Sequence, residues 1–432
     1  MCPQSKTAED PLVEENLRLK SAVEELAILN DIEAAIASTQ TLDQISSLIV
    51  KKCLKHLKSE QGSIQLFDEK DLVNPLHTMI RVKDSRINID PLRIDQQIFG
   101  QMLAHKTPTL INEFKRDEKI SVQGGFELKI TSLLSVPMIV KGKMIGILSL
   151  FNKKSESGFT KADQRLLTII ATQSANIIEN ARLFEEEKKL LQIQQEIKVA
   201  GEIQKNLLPK EIPIIKGYDI YAKNIPALDV SGDYYDFITI SETKTAITVG
   251  DVAGKGLPAA MLMANLQATL RGQLSVCNCT KECIRRANDL LYKSTDTSKF
   301  VTLFLGILDS EKNVLTYCNA GHNEPIFIQQ NKRLKLDKGG ILLGSFEHMD
   351  YDEEEILFDK GSTFILFSDG ITEAMNEISE EYGEERLYDV VERNLDMDSK
   401  QLVKEILDSI KQFSGGISQT DDITLMIIKR YG

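Results

Sequence analysis

Apolar positions along this chain change their spacing several times, and each change marks an element. After Pro11, residues 12–38 contain neither Pro nor Gly. Leu12, Leu19 and Leu26 recur every seven, with Val23 and Leu29 on the neighbouring ridge. That spacing predicts a short amphipathic helix with partial heptad character. Residues 42–57, LDQISSLIVKKCLKHL, carry apolar steps of three and four and predict a second helix. From about residue 60 to 154 the pattern turns to strands, with SIQLFDE, HTMIRVK and TPTLIN as short candidates. LLSVPMIVKGKMIGILSLFNK then reads as a hairpin, two apolar runs around Lys141-Gly142-Lys143.

A long helix follows, opening at Thr160 as N-cap with Asp163 in the first turn, where a negative charge favours the helix dipole. No stop signal interrupts it near residue 185. Leu183, Leu190 and Ile197 fall seven apart, as do Ile193, Ala200 and Leu207, until Pro209 ends the run. A helix of this length with an uncovered apolar seam predicts a parallel dimer in preference to a bare rigid spacer. Beyond Pro213 strand-like runs recur: YDIYAKNI, YYDFITI, KTAITVGD, FVTLFLGILD, VLTYCNAGH, EPIFIQ, EEEILFD, STFILFSDG and ITLMIIKR. Helical stretches over 257–275, 280–295 and 384–413 interrupt them, which predicts an α+β layered domain.

Composition narrows the function classes. The 432 residues imply two or three domains, and 42% hydrophobic with 27% charged is an ordinary globular balance. The net charge of −12 disfavours nucleic-acid binding, which wants excess Lys and Arg. The first residues lack an apolar core of signal-peptide length, and no run of about 18 apolar residues occurs, so a cytoplasmic protein away from membranes is expected. The six Cys are unevenly scattered, as in a reducing compartment. Cys277, Cys279 and Cys283 offer three thiols without a nearby His; structural zinc wants four ligands, so they read as helix-flanking residues.

Candidate chemistry lies in acids. SGDYYD (Asp233, Asp236), VGDVAGKG (Asp251), FSDGITEA (Asp369) and QTDDIT (Asp421, Asp422) are distributed over the C-terminal domain. Three of these segments end an apolar strand in Asp followed by Gly or a tight turn, which fixes a carboxylate and leaves room beside it. Each alone could be a turn residue or N-cap. As a set they need a common explanation, because buried carboxylates are costly unless paired or metal-bound. Carboxylates without His or Cys suit Mg²⁺ or Mn²⁺.

The order GDYYDF, VGDVAGKGLPAAMLMA, NAGHNEPI, LFSDGITEA, TDDITLMII resembles the bacterial branch of the metal-dependent protein phosphatases, of the RsbU and SpoIIE type, over about 205–432. The resemblance implies an αββα sandwich with two Mn²⁺ or Mg²⁺ ions. By that resemblance the metal ligands are Asp233, Asp251, Asp369, Asp421 and the backbone carbonyl of Val252. It implies hydrolysis of phosphoserine or phosphothreonine on a partner protein, such as an STAS-domain anti-anti-sigma factor. Asp236 and Asp422 would orient waters or ligands. Gly254, Lys255 and Gly256 form the turn before the 257–275 helix, either an anion-assisting helix start or a simple left-handed turn. His322 reads as a general acid or, more readily, a turn His bonded to backbone. The chain departs from the family at Asn323-Glu324-Pro325 and over Gly340–Gly344, neither at a metal ligand.

Residues 22–185 resemble a GAF domain, a ligand- or signal-sensing α/β module, through SVPMIVKGKMIGILSLFNKK and the helix after it. Asn152, Lys153, Phe159 and Asp163 match a cyclic-nucleotide signature in which Gln164 replaces Glu. The set therefore reads as a structural Lys–Asp lock, and the GAF ligand is unknown. His77 and His105 read as ordinary histidines, not haem ligands. The expected order is an N-terminal segment 1–21, a GAF sensor 22–185, a coiled-coil linker 186–209 and a phosphatase 210–432. Two rivals belong to other classes: a degenerate, non-catalytic scaffold, which should have lost a ligand, and a metal-dependent nuclease or phosphodiesterase, which the acidic charge disfavours.

Overall fold

The computed structural model describes residues 41–67, the backbone of 76–83, residues 102 and 104–113, and residues 130–295 and 299–432, with positions 15, 23, 27 and 30 before them. The helix expected over 11–38 lies outside the described residues, apart from those isolated positions. The chain divides into two compact units, Met1–Leu191 and Gln192–Gly432.

In the first unit, α1 (Leu42–Leu57) starts at Thr41, whose side chain accepts from the Gln44 N–H, and ends at left-handed Lys58. Its Ile45, Ile49, Val50, Cys53 and Leu57 form one buried face. They cover a five-stranded sheet of β1 (Ser59–Phe67), β2 (Leu76–Lys83), β3 (Thr109–Ile111), β4 (Leu133–Val140) and β5 (Lys143–Lys153), in the order β2-β1-β5-β4-β3. The β4–β5 turn has φ of 47° at Lys141 and 83° at Gly142. Two positive φ values give the hairpin turn whose twist matches its strands, and Gly supplies one at no steric cost. Leu167, Ile170, Ala171, Ala175 and Ile178 of the following helix close the same core.

That helix, α2 (Lys161–Lys205), is one continuous element of 45 residues. It ends shortly before the expected 208, in tight turns from Asn206 N–H to Ile203 and Leu207 N–H to Gln204, ahead of Pro209. At its start the Thr160 N–H donates to Asp163 (2.8 Å) and the Asp163 N–H donates to Thr160 Oγ1 (3.1 Å). Lys153 Nζ bonds Asp163 at 2.8 Å and lies 5.7 Å from the Phe159 ring centroid. Burial opposes ionisation of Asp163, yet the bonds from Lys153 and Thr160 hold it below its ordinary value. The signature residues thus tie the hairpin to α2, as a structural lock does.

The second unit is a four-layer sandwich. One sheet contains β7 (Tyr234–Thr239), β8 (Lys244–Val252), β9 (Val301–Asp309), β10 (Val314–Ala320), β13 (Gly339–Gly340) and β14 (Glu354–Leu357). The other contains β6 (Tyr218–Ile225), β11 (Ile326–Gln329), β12 (Lys332–Leu334), β15 (Thr363–Phe367) and β16 (Ile423–Arg430). Tyr218, Phe304, Tyr317, Phe327, Phe358 and Phe364 meet between the sheets. α3 (Leu257–Leu274) and α4 (Thr280–Ser294) cover the first sheet. α6 (Gly383–Arg393) and α7 (Ser399–Ser414) cover the second, and α5 (Asp369–Thr372) is a single turn after β15. Strands alternate inward and outward, so each sheet feeds two cores.

The helical stretch expected over 384–413 is two helices, α6 and α7. The break is chemical: Asp398 accepts from the Gln401 N–H while the Gln401 side chain accepts from the Asp398 N–H, starting a new helix. Cys277, Cys279 and Cys283 flank the start of α4, where Glu353 accepts from Cys279, Thr280 and the Lys281 N–H. Among the described residues no helix is long and apolar enough to cross a membrane.

Candidate active site

Both sheets deliver acids to one end of the sandwich. β8 ends in Asp251 and Val252, and the segment before β7 carries Asp233. β15 runs into Asp369, the first residue of α5, and Asp421 and Asp422 precede β16. Close backbone approaches hold these ends together. A Cβ on Gly232 would stand 3.1 Å from the Val252 carbonyl oxygen and 3.6 Å from Asp251 Oδ1. A Cβ on Gly370 would meet the Asp422 carbonyl oxygen at 2.0 Å, so only Gly fits where α5 touches the β16 segment.

Hydrogen bonds then fix each acid. Thr424 Oγ1 donates to Asp233 Oδ2 at 2.5 Å, and the Asp233 N–H donates to Ser231 Oγ. Asp422 accepts from the Ala227 and Gly232 N–H groups, both at 2.7 Å. It therefore pins the loop carrying Asp233. Ser368 Oγ receives the Thr424 N–H at 2.8 Å and donates to the Asp422 carbonyl, joining β15 to β16 just before Asp369. Asp421 accepts from Lys255 Nζ at 2.8 Å, and the same ammonium donates to the Thr420 carbonyl. Gly254 and Gly256, at φ of 101° and 73°, bend the backbone on either side of Lys255.

The electrostatics are those of crowded anions. Asp233 is 1% exposed, and burial, then the charge of Asp251, pushes its carboxyl well above the ordinary range. Asp251 is pushed up to about 7 by burial and by the charges of Asp369 and Asp421. Burial and Asp421 raise Asp369 as well. The bond to Asp421 raises Lys255. Among the described residues no three His, Cys, Asp or Glu side chains stand close enough together to hold a metal ion as they are placed, so a metal's fit rests on donor chemistry and charge. The donors are hard oxygens, the acids repel one another, and Lys255 is bonded to Asp421 among them. That set suits hard divalent cations.

The remaining candidates sort differently. Asp236 lies apart from this cluster: its buried carboxylate accepts from Tyr234 Oη (2.7 Å), the Phe237 N–H and the Arg271 guanidinium at 2.8 and 3.1 Å. The expectation that it orients waters or ligands is thereby corrected. On β7 it points to the α3 layer with Tyr234, two residues before it. Asp422 orients backbone. His322 shares a bond with Thr302 Oγ1 through Nδ1 (2.9 Å), its N–H donates to Asn319 Oδ1, and its carbonyl accepts from Asn319 Nδ2. Burial pulls it down to about 4, so at pH 7 it is a neutral imidazole and not an imidazolium acid.

Sequence reasoning missed Thr424, Ser368 and the contact of α2 with the Asp233 loop. Gln204 Nε2 donates to the Ser231 carbonyl (2.6 Å), and the Ser231 N–H donates to Gln204 Oε1 (2.9 Å). A Cβ on Gly201 would lie 2.1 Å from the Asp229 carbonyl oxygen. The signal available was the Gly inside a helical pattern, which marks close backbone approach.

Residues 241–431 match the family model "Stage II sporulation protein E (SpoIIE)", and residues 39–179 match "GAF domain". Phosphoserine phosphatase RsbU of Bacillus subtilis is 30% identical over 253 residues, 57% of this chain and 75% of that protein. Protein IcfG of Synechocystis is 31% identical over 268 residues, 54% of this chain and 41% of that protein. The SiaA-PP2C domain of Pseudomonas aeruginosa superposes with a TM-score of 0.50 at 19% identity, over 56% of this chain and 99% of that domain.

Proposed function

The chain belongs to the RsbU-type family of SpoIIE-domain serine phosphatases, and on that footing we propose that it hydrolyses phosphoserine or phosphothreonine on a regulatory protein of the STAS anti-anti-sigma kind, under control of its GAF domain. In this reading residues 22–185 sense, 186–209 link and 210–432 catalyse. Asp233, Asp251, Asp369, Asp421 and the Val252 carbonyl would hold two Mg²⁺ or Mn²⁺ ions. When bound, such ions supply positive charge to a phosphoryl group and acidify water. The chain's own part is positioning. Thr424 and Asp422 set Asp233, Ser368 sets the start of α5, and Lys255 offers an ammonium at the rim where an anion arrives. The observation that carries the reading is the gathering of Asp233, Asp251, Asp369 and Asp421 from both sheets at one end of the sandwich, close enough that their charges raise one another.

Regulation would run along α2. Gln204 grips both backbone polar groups of Ser231, two residues from Asp233. Any shift of α2 is therefore felt at that acid, and a signal acts by binding two positions of α2 unequally. Leu183, Leu190 and Ile193 are 50%, 62% and 52% exposed, which supports a seam for a second copy of the chain.

The test is p-nitrophenyl phosphate turnover with and without Mn²⁺, for wild type, Asp251→Asn and Asp369→Asn. Mn²⁺-dependent turnover, lost in both variants, is expected. Metal-independent turnover, or variants as active as wild type, would contradict the site. A chain lacking residues 1–185 with unchanged activity under every condition would contradict the regulatory part.

A further inference from the structure

A cavity of about 430 Å³ opens between the turn after α5, helix α7 and the segment before β16; none of the four acids lines it. Its apolar wall is Ile225, Ala374, Met375, Leu407, Ile410 and Ile417. Gly370 and Thr420 also line it, and they are the chain neighbours of Asp369 and Asp421. Consecutive Cα atoms are about 3.8 Å apart, so the cavity begins one residue from the acids. The proposed chemistry does not use it.

Two turns form its faces. Gly415 and Gly416, at φ of 61° and 97°, turn the chain back after α7, so that 417–420 forms one wall. The turn after α5, bridged at Met375 and Glu381, forms the other. Met375 and Ile417 are each 40% exposed, and Ile378 on the same turn is 80% exposed. Asp408 and Lys411 of α7 bring charge to the same lining. An apolar hollow with a few polar groups, within the ~300–1,000 Å³ of ordinary ligand sites, is the form of a recognition pocket.

We propose that this groove receives an apolar side chain of the phosphoprotein substrate, within about four residues of its phosphoserine; the proposal rests on the phosphatase reading above. The occupant follows from continuity. A phosphoserine brought to Asp369 and Asp421 has its flanking residues at ~3.3–3.6 Å per residue, which puts those within four of it in reach of Met375 and Ile417. The acids and Lys255 recognise the phosphate and carry no information about which protein bears it. The groove supplies that information through apolar burial.

The experiment uses the full chain with Mn²⁺ and phosphoserine peptides in which Leu replaces Ser at each position within four residues of the phosphoserine. Leu at one position raises kcat/KM by about tenfold or more, the size expected for burying such a side chain. That gain collapses in Met375→Ser and Ile417→Ser, whereas their p-nitrophenyl phosphate turnover equals that of wild type. No Leu preference at any position, a preference that survives both variants, or an equal loss on the small substrate would each overturn the groove. A wild type that turns over neither substrate fails the phosphatase reading beneath it instead.

Discussion

Replacing Gly201 with Ala probes whether the contact of α2 with the Asp233 loop governs activity. The new Cβ would stand 2.1 Å from the Asp229 carbonyl oxygen and 3.6 Å from Val230 Cγ1. Carbon and carbonyl oxygen ordinarily approach to about 3.3 Å, so something must move by about 1 Å. The obstructing atom is backbone, hence no side-chain rotation relieves it, and Gln204 already ties the same loop to α2. A displacement of about 1 Å at a catalytic group costs on the order of 100-fold in rate. The helix itself gains about 0.8–1 kcal/mol from the better helix former. Gly201→Ala is therefore expected to lower p-nitrophenyl phosphate turnover about 100-fold at saturating Mn²⁺, and the urea midpoint also falls, because a backbone clash of about 1–3 kcal/mol outweighs the propensity gain. Gly272→Ala is the control, because a Cβ there meets nothing within 4 Å on exposed α3. It should stabilise by about 0.5–1 kcal/mol and leave turnover unchanged. A Gly201→Ala chain with wild-type turnover and an intact fold would refute the reasoning.

Asp236→Asn should separate structural from catalytic acids. It removes the charge that buried Tyr234 and half-exposed Arg271 both bond, so stability falls by about 2 kcal/mol in urea unfolding while p-nitrophenyl phosphate turnover persists. Loss of turnover without loss of stability would return Asp236 to the site. His322→Gln should flatten the acid limb of stability. Burial holds the folded His322 at about 4, below its ordinary value, so the unfolded chain takes up the proton first as pH falls. Its contribution is complete above ~6.5, is lost toward pH 4, and amounts to about 3 kcal/mol. Identical urea midpoints for wild type and variant from pH 7 to 4 would show that His322 plays no such part.

Much of the fold was legible because its periods are local. The β4–β5 hairpin, the Thr160–Asp163 start of α2 and the runs that became β6 to β11 and β14 to β16 announce themselves within a few residues, whereas the short β12 and β13 carry no such run. The acids of the site were legible because Asp at an apolar strand end is costly without a purpose. What stayed hidden was pairing across distance. Thr424 and Asp233 are 191 residues apart, and neither residue signals the other. Asp236 misled because its motif neighbours the site in sequence, while strand alternation turns its side chain to another layer. The α6–α7 break was readable after all: Asp398 and Gln401 have the spacing of a capping box.

Asp421 and Asp422 are adjacent residues with opposite duties, one facing Lys255 and the other gripping the Ala227 and Gly232 amides. A slip of a single position there would exchange them, leaving the loop untethered and the rim misaligned together. Insertions and deletions among Gly415, Gly416 and their neighbours should leave p-nitrophenyl phosphate turnover in place while altering the groove wall they set. Between Thr420 and Thr424 the spacing is as fixed as the teeth of a key.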